Sequence, residues 1–341
     1  QKQVQRIWDN QWLTNNGKLY KELSEKLIDY LGVNNIIPMT NGTMPLHIAL
    51  NAFANQGEVI TTPFSYVATT AGIVWEKCTP VFVDIHPEYL TIDETKIEAA
   101  ITDKTTAIVA THVYGNPCAV DEIAAIAKKY KLKVIYDAAH CFGVTYNGQS
   151  IFNYGDIATC SFHATKLFHT GEGGALFCQD EATRQEMFYR HNFGHDGPEK
   201  YHGLGTNAKM SELQAAMGLS MLPYMNHIIT ERKRVCEYYD QHLDFNKLSK
   251  PQLREGTDWN YAYYPVIFKS ESQLLESKAR LEKENILPRR YFYPSLEELP
   301  YIESDMCTVA KDIARRVLCL PLYTELKDEQ LDNILKLILN I

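Results

Sequence analysis

Short apolar runs alternate with helix-patterned stretches through roughly the first half of this chain, and nothing else in the sequence restricts its fold as strongly. Runs at 59–60, 80–84, 107–113, 134–136, 159–162 and 175–178 read as strands. Between them, 19–31, 46–54 and 120–130 carry apolar residues at helical spacing. A strand that is apolar along its whole length is covered on both faces, so the pattern predicts a mostly parallel central sheet with helices on either side. Functional residues in such sheets collect beyond the carboxyl ends of the strands, where Thr61, His112, Asp137 and His163 all fall. From Met210 a helical pattern continues toward His242, with Pro223 as a break. The tail changes texture, mixing a strand at 261–268, a helix at 272–284 and a last helix near 328–339. The expected class is α/β, with a large domain over 1–240 and a smaller C-terminal α+β domain over 241–341.

The charge balance narrows the partners. A net charge of −8 argues against a general nucleic-acid binder, yet leaves room for a small phosphorylated ligand, which needs only local donors. No apolar run approaches the ~20 residues that cross a bilayer, and the polar start carries no signal-peptide core, so no membrane partner is expected. The eight cysteines are scattered without a Cys-x-x-Cys pair, which points to a reducing, cytoplasmic compartment. His-Glu-x-x-His is absent, and no metal site is expected.

Candidate chemistry concentrates between residues 136 and 174. Asp137 ends an apolar run and His140 follows three residues later. Lys166 comes after the next strand, just ahead of Gly171-Glu-Gly173-Gly174. A lysine among apolar and aromatic groups loses its proton more readily, and imine chemistry needs the neutral amine. A carboxylate can hold a pyridine nitrogen protonated so that the ring accepts electrons. One helical turn after Asp137 would put His140 on the same side, against the ring or its phenolic oxygen. These are the parts a pyridoxal phosphate enzyme uses. Blander readings share the same residues: Asp137 as the cap of a helix starting at Ala138, His140 as a core histidine, Lys166 as a surface lysine. Asn41-Gly42-Thr43 turns into an apolar helix, whose free N–H groups suit a phosphate or else a simple cap. Tyr66, just past a strand, reads as a ring that stacks on a flat cofactor or as an ordinary buried tyrosine.

Taken together these segments resemble the DegT-type sugar aminotransferases, a branch of the fold-type-I pyridoxal phosphate enzymes. The resemblance covers nearly the whole chain: Trp12-Leu-Thr-Asn15-Asn16-Gly17, Asn41-Gly42-Thr43, Pro80-Val-Phe-Val-Asp84, Asp137-Ala-Ala-His140, Ser161-Phe-His163-Ala-Thr-Lys166, Gly205-Thr-Asn207-Ala-Lys209-Met-Ser-Glu-Leu and Arg315-Arg-Val-Leu-Cys-Leu-Pro321. It implies that Lys166 forms the imine with the cofactor. It implies that Ser161 and the backbone at Gly42 and Thr43 hold the phosphate, and that Asn207 reaches the phosphate of a neighbouring subunit. The implied assembly is a homodimer with shared active sites. Asn15, Asn16 and His163 are the substrate candidates. Lys209 departs from the arginine that the family commonly has. A dehydratase branch replaces the imine lysine by histidine, so Lys166 favours transamination. The segment around Lys166 is similar to members that aminate sugar carbon 4, and the opening loop resembles enzymes forming dTDP-4-amino-4,6-dideoxyglucose. The implied reaction moves the amino group of L-glutamate to the 4-keto carbon of a nucleotide-linked keto sugar. Alternatives within the resemblance are a 3-aminotransferase, a dehydratase and a non-catalytic regulator.

Overall fold

The computed structural model describes residues 1–304 and 307–339. Strands β1 (Asn35–Met39), β2 (Glu58–Thr61), β3 (Thr79–Phe82), β4 (Thr105–Thr111) and β5 (Lys133–Asp137) come first. A small hairpin, β6 (Thr145–Tyr146) and β7 (Gln149–Ser150), precedes β8 (Ile157–Ser161) and β9 (Gly174–Cys178). Seven of these form the central sheet, in the order β1-β9-β8-β5-β4-β2-β3. Only β9 runs against its neighbours.

Strand periodicity divides the core into two layers. Ile60, Ile108, Ala110, Val134, Tyr136, Ala158, Cys160 and Phe177 point to one face. Val59, Ala107, Val109, Ile135, Ile157 and Leu176 point to the other. The first face is covered by helices α1 (Lys2–Asn10) and α2 (Lys18–Leu31), by α5 further along, and by α7. The second is covered by α3 (Thr43–Phe53), α4 (Val67–Trp75) and α6 (Glu181–His191). Here α5 is Val120–Tyr130 and α7 is Glu212–Met221. Pro223 sits in a 3₁₀ turn, Leu222–Tyr224, between α7 and α8 (Met225–His242).

In the tail, β10 (Leu248–Ser249), β12 (Pro265–Phe268) and β13 (Val317–Cys319) form an antiparallel sheet. Helices α9 (Glu271–Lys283) and α11 (Asp328–Leu339) and the end of α8 pack on it. Helix α10 (Thr308–Arg316) joins Phe64, Ile85, Val113 and Tyr114 in a further cluster that ties the tail to the large sheet. Between β10 and β12 the chain reaches back to the hairpin, where β11 (Thr257–Asp258) pairs with β6.

Several elements differ from the sequence expectation. β1 lies outside the strand runs expected from the sequence; it contains Pro38, which it tolerates because β1 is the sheet edge, where a missing N–H costs little. Val67–Trp75 is rich in β-branched residues yet is helical, since burial of Ile73, Leu46 and Leu50 together outweighs local propensity. The tail strand begins at Pro265, four residues later than expected, because Tyr261 has φ +54° and Asn260 Oδ1 captures the Ala262 N–H.

One buried acid holds the opening loop. Glu212 is fully buried, and its carboxylate accepts the N–H groups of Leu19 and Tyr20, each at 2.9 Å, at the start of α2. Its own N–H donates to Leu13 O at 2.9 Å. A Cβ on Gly17 would fall 2.5 Å from the Glu212 carboxyl carbon, so only glycine allows this approach. Glu212→Ala leaves two buried N–H groups without partners, a cost of roughly 1–3 kcal/mol each. A urea titration should show a lower midpoint with unchanged slope, and Glu212→Gln should fall between the two.

Candidate active site

The parallel register of β4, β5 and β8 delivers the polar groups of the site to one edge. Thr111 pairs with Asp137, and Asp137 with Thr159, at the carboxyl ends of their strands. Asp137 is nearly buried. Its Oδ2 accepts the Thr69 hydroxyl at 2.6 Å and its Oδ1 accepts Ala139 N–H at 3.1 Å. Thr69 Oγ1 lies 2.8 Å from Ser65 Oγ, which lies 2.9 Å from Thr111 Oγ1. With the Thr69 proton committed to the carboxylate, Ser65 donates to Thr69 and Thr111 to Ser65. The hydroxyl relay thus fixes Asp137 as an acceptor. No helix follows Asp137: residues 138–143 form turns, so the cap reading loses its helix and the Ala139 contact is a local turn.

His140 is buried, and its Nδ1 accepts Tyr114 N–H at 3.1 Å. Burial, reinforced by the Lys166 charge, holds the imidazole well below the usual histidine range. The ring is therefore neutral with its proton on Nε2, a fixed donor. It stacks on Phe292 at 5.6 Å between centroids and meets Tyr263 at 4.5 Å.

Lys166 follows β8 in a turn closed by Lys166 N–H to His163 O, and its Nζ donates to Tyr263 Oη at 3.4 Å. Desolvation lowers its pKa, while Asp137 pulls the other way. Gly171, at φ +79°, lets the chain double back so that Gly174 reaches Asn41.

The candidate phosphate turn lies directly across. A Cβ on Gly42 would meet Ser161 Cβ at 2.6 Å, so the turn before α3 and the end of β8 touch through a cradle that a side chain would fill. Asn41 Oδ1 accepts the N–H groups of Thr43 and Met44, at 3.0 and 2.9 Å. The Thr43 N–H is thus engaged within the chain, which leaves the Gly42 N–H and the Thr43 and Ser161 hydroxyls as donors of this turn. Gln214 ties the region together by donating to both Thr40 O and Glu172 O at 2.8 Å.

Other sequence candidates lie further out. Tyr66 is half-exposed and meets Tyr291 edge-on at 6.4 Å. His163 is paired with Thr165 and Glu172. Asn15 and Asn16 both adopt positive φ in the loop that Glu212 anchors, and Asn16 Oδ1 is buried without a partner. Asn207 is exposed and accepts Lys209 Nζ at 2.7 Å. His112, by contrast, is fully buried, with Nδ1 taken by Cys118 N–H and its ring on Tyr136. Sequence reasoning missed Thr69 because α4 was unread, and missed Tyr263 and Phe292 because they arrive from the tail, with no local motif to mark them.

The lowered Lys166 pKa has a measurable consequence. In cofactor-free protein, competitive acetylation followed by peptide mass spectrometry should show Lys166 reaching half-reactivity at lower pH when folded than in guanidinium. Equal midpoints would remove the desolvation argument.

Residues 1–339 match the model of the DegT/DnrJ/EryC1/StrS aminotransferase family. A dTDP-4-amino-4,6-dideoxy-D-glucose transaminase of Shigella dysenteriae is 42% identical over 342 residues, spanning 98% of this chain and 93% of that protein. An Escherichia coli transaminase of the same description is 40% identical, again over 98% of this chain and 93% of that protein. The solved structure of DesI in the presence of its TDP-sugar product superposes with a TM-score of 0.92 at 32% identity, over 99% of this chain and 88% of that one. The chain belongs to the DegT/DnrJ/EryC1/StrS aminotransferase family.

Proposed function

We propose that this enzyme transfers the amino group of L-glutamate to carbon 4 of a dTDP-linked 4-keto-6-deoxyhexose, giving a 4-amino-4,6-dideoxy sugar nucleotide for glycan synthesis. The observation that carries the reading is the convergence of a desolvated Lys166, a hydroxyl-fixed Asp137 and a neutral His140 at one sheet edge. The sugar comes from the two transaminases of that description, at 42% and 40% identity.

The residues fit pyridoxal phosphate, the cofactor of this family. A lysine of lowered pKa matches its aldehyde, a fixed carboxylate matches its ring nitrogen, and the Gly42–Ser161 cradle matches its phosphate. When bound, the cofactor supplies an electrophilic carbon and an electron-accepting ring. Asp137 would keep a proton on the ring nitrogen, and His140 Nε2 would supply a donor for the phenolic oxygen. Gly42, Thr43 and Ser161 would hold the phosphate, with Tyr66 as a further aromatic contact. Lys166 Nζ takes the proton from the donor's α-carbon and, in the second half of the cycle, returns one to carbon 4 of the sugar. General acid–base help of this type is worth roughly 10²–10⁴-fold. Asn15, Asn16 and His163 are assigned to the sugar substrate.

The proposal includes a homodimer in which Asn207 completes the partner's phosphate site, supported by its exposure on the excursion between the Asn192–Asn207 bridge partners. It places the chain in the cytoplasm, supported by eight buried cysteines. It keeps the division at 1–240 and 241–341, supported by the separate tail sheet, with α8 lending Val235, Cys236 and Tyr239 to the tail's core.

The test is purified protein with L-glutamate and dTDP-, UDP- and GDP-linked 4-keto and 3-keto sugars, read by mass spectrometry. The dTDP sugar should gain the amine fastest. Amination only of 3-keto sugars, or of none, overturns the reading. Asp137→Asn should retain cofactor and fold but lose turnover by roughly 10²–10³-fold. For the shared site, Lys166→Ala mixed with Asn207→Ala should recover activity above either parent once subunits exchange. Exchange without recovery contradicts it.

A further inference from the structure

Most arginines of this chain are ion-paired, Arg290 with Glu271 and Arg316 with Asp312 among them. Among the described residues Arg232, Arg280, Arg289 and Arg315 form no ion pair, and of these Arg232 and Arg289 line the same cavity of about 540 Å³. The cavity lies between the tail and the turn that carries Lys166. Thr165 and Tyr263 belong to its wall, and the Tyr263 hydroxyl is 3.4 Å from Lys166 Nζ. Glu284 is the one carboxylate of its lining. A chain of net charge −8 therefore places an excess of positive charge beside its reactive lysine.

Both guanidinium groups are anchored. Arg232 Nε donates to Tyr261 O at 2.9 Å and Nη2 to Ala262 O at 2.6 Å, which leaves Nη1 without a chain partner. Arg289 Nη1 donates to Tyr291 Oη at 3.0 Å. The Arg232 guanidinium is held in place, partly desolvated and without a counter-ion, which is costly, and the cost falls when an anion arrives. Burial lowers the Arg232 pKa, in keeping with that cost. Fixed arginines also give carboxylates and phosphates directional, charge-assisted bonds.

We infer that this cavity is an anion subsite, in which Arg289 and Arg232 receive the charged end of a substrate whose reacting carbon lies at Lys166. The inference rests on the aminotransferase reading and extends it. That reading supplies two sources of the same chemistry: a carboxylate of the amino donor and the diphosphate of the nucleotide sugar. A volume of this size lies within the range of small-molecule sites.

The experiment is calorimetry of the cofactor-loaded protein with two probes, glutarate and thymidine diphosphate. It compares wild type with Arg289→Met, which keeps the apolar stem and removes the charge, and with Arg232→Lys. Loss of a charge-assisted bond should weaken one probe about 10–100-fold. Loss of glutarate assigns the subsite to the donor, and loss of thymidine diphosphate assigns it to the nucleotide. Arg289→Met is the deciding variant if Arg232→Lys fails to fold, since the Arg289 side chain is exposed and its backbone bonds to Cys319 survive the substitution. Unchanged affinity for both probes in folded Arg289→Met overturns the subsite, as does a wild type that binds neither. A wild type that aminates no keto sugar, while Arg289→Met still loses a probe, defeats the proposed function and leaves the subsite standing.

Discussion

The site depends on the in-register parallel pairing of β4, β5 and β8. That pairing puts Thr111, Asp137 and Thr159 side by side at one edge, with Ser161 two residues further along β8. Both faces of the sheet are covered, so the register cannot slip: a one-residue shift would drive Ile135 and Tyr136 into the wrong layers. The apolar alternation that stabilises the fold therefore also fixes where the carboxylate ends. Short loops then convert strand position into side-chain position, through the Asp137–Ala139 turn and the His163–Lys166 turn.

Charge at the site is handled by contacts within the chain. Asp137 is held by a one-way run of hydroxyls, Thr111 to Ser65 to Thr69. His140 is kept neutral by burial and oriented by Tyr114 N–H. Lys166 lies between Asp137, which favours its charge, and a desolvated surrounding, which opposes it. The balance favours a lowered pKa, as nucleophilic and proton-transferring lysines require.

Much of this was legible in the sequence, for a physical reason. Buried strands and amphipathic helices repeat with different periods, so all six strands read from the first half end within two residues of their observed limits, and Val120–Tyr130 is placed as expected. Asp137, Lys166 and Gly42 are marked by strand ends and glycines, which are local signals, whereas Ser161 comes from the family resemblance and His140 from its spacing to Asp137. What stayed hidden is what arrives from a distance. Thr69 sits on a helix whose composition looks strand-like, and Tyr263, Phe292 and Arg289 come from the tail. The Thr43 N–H, expected on the phosphate, is engaged by Asn41, because an Asn two residues ahead competes for the same groups.

The account stands or falls on Lys166 being the residue that joins the cofactor. Borohydride reduction of the purified holoenzyme, followed by peptide mapping, measures this directly. The account predicts the phosphopyridoxyl mass on the peptide containing Lys166 and on no other. A label on a different lysine, or none after reduction of cofactor-loaded protein, contradicts it.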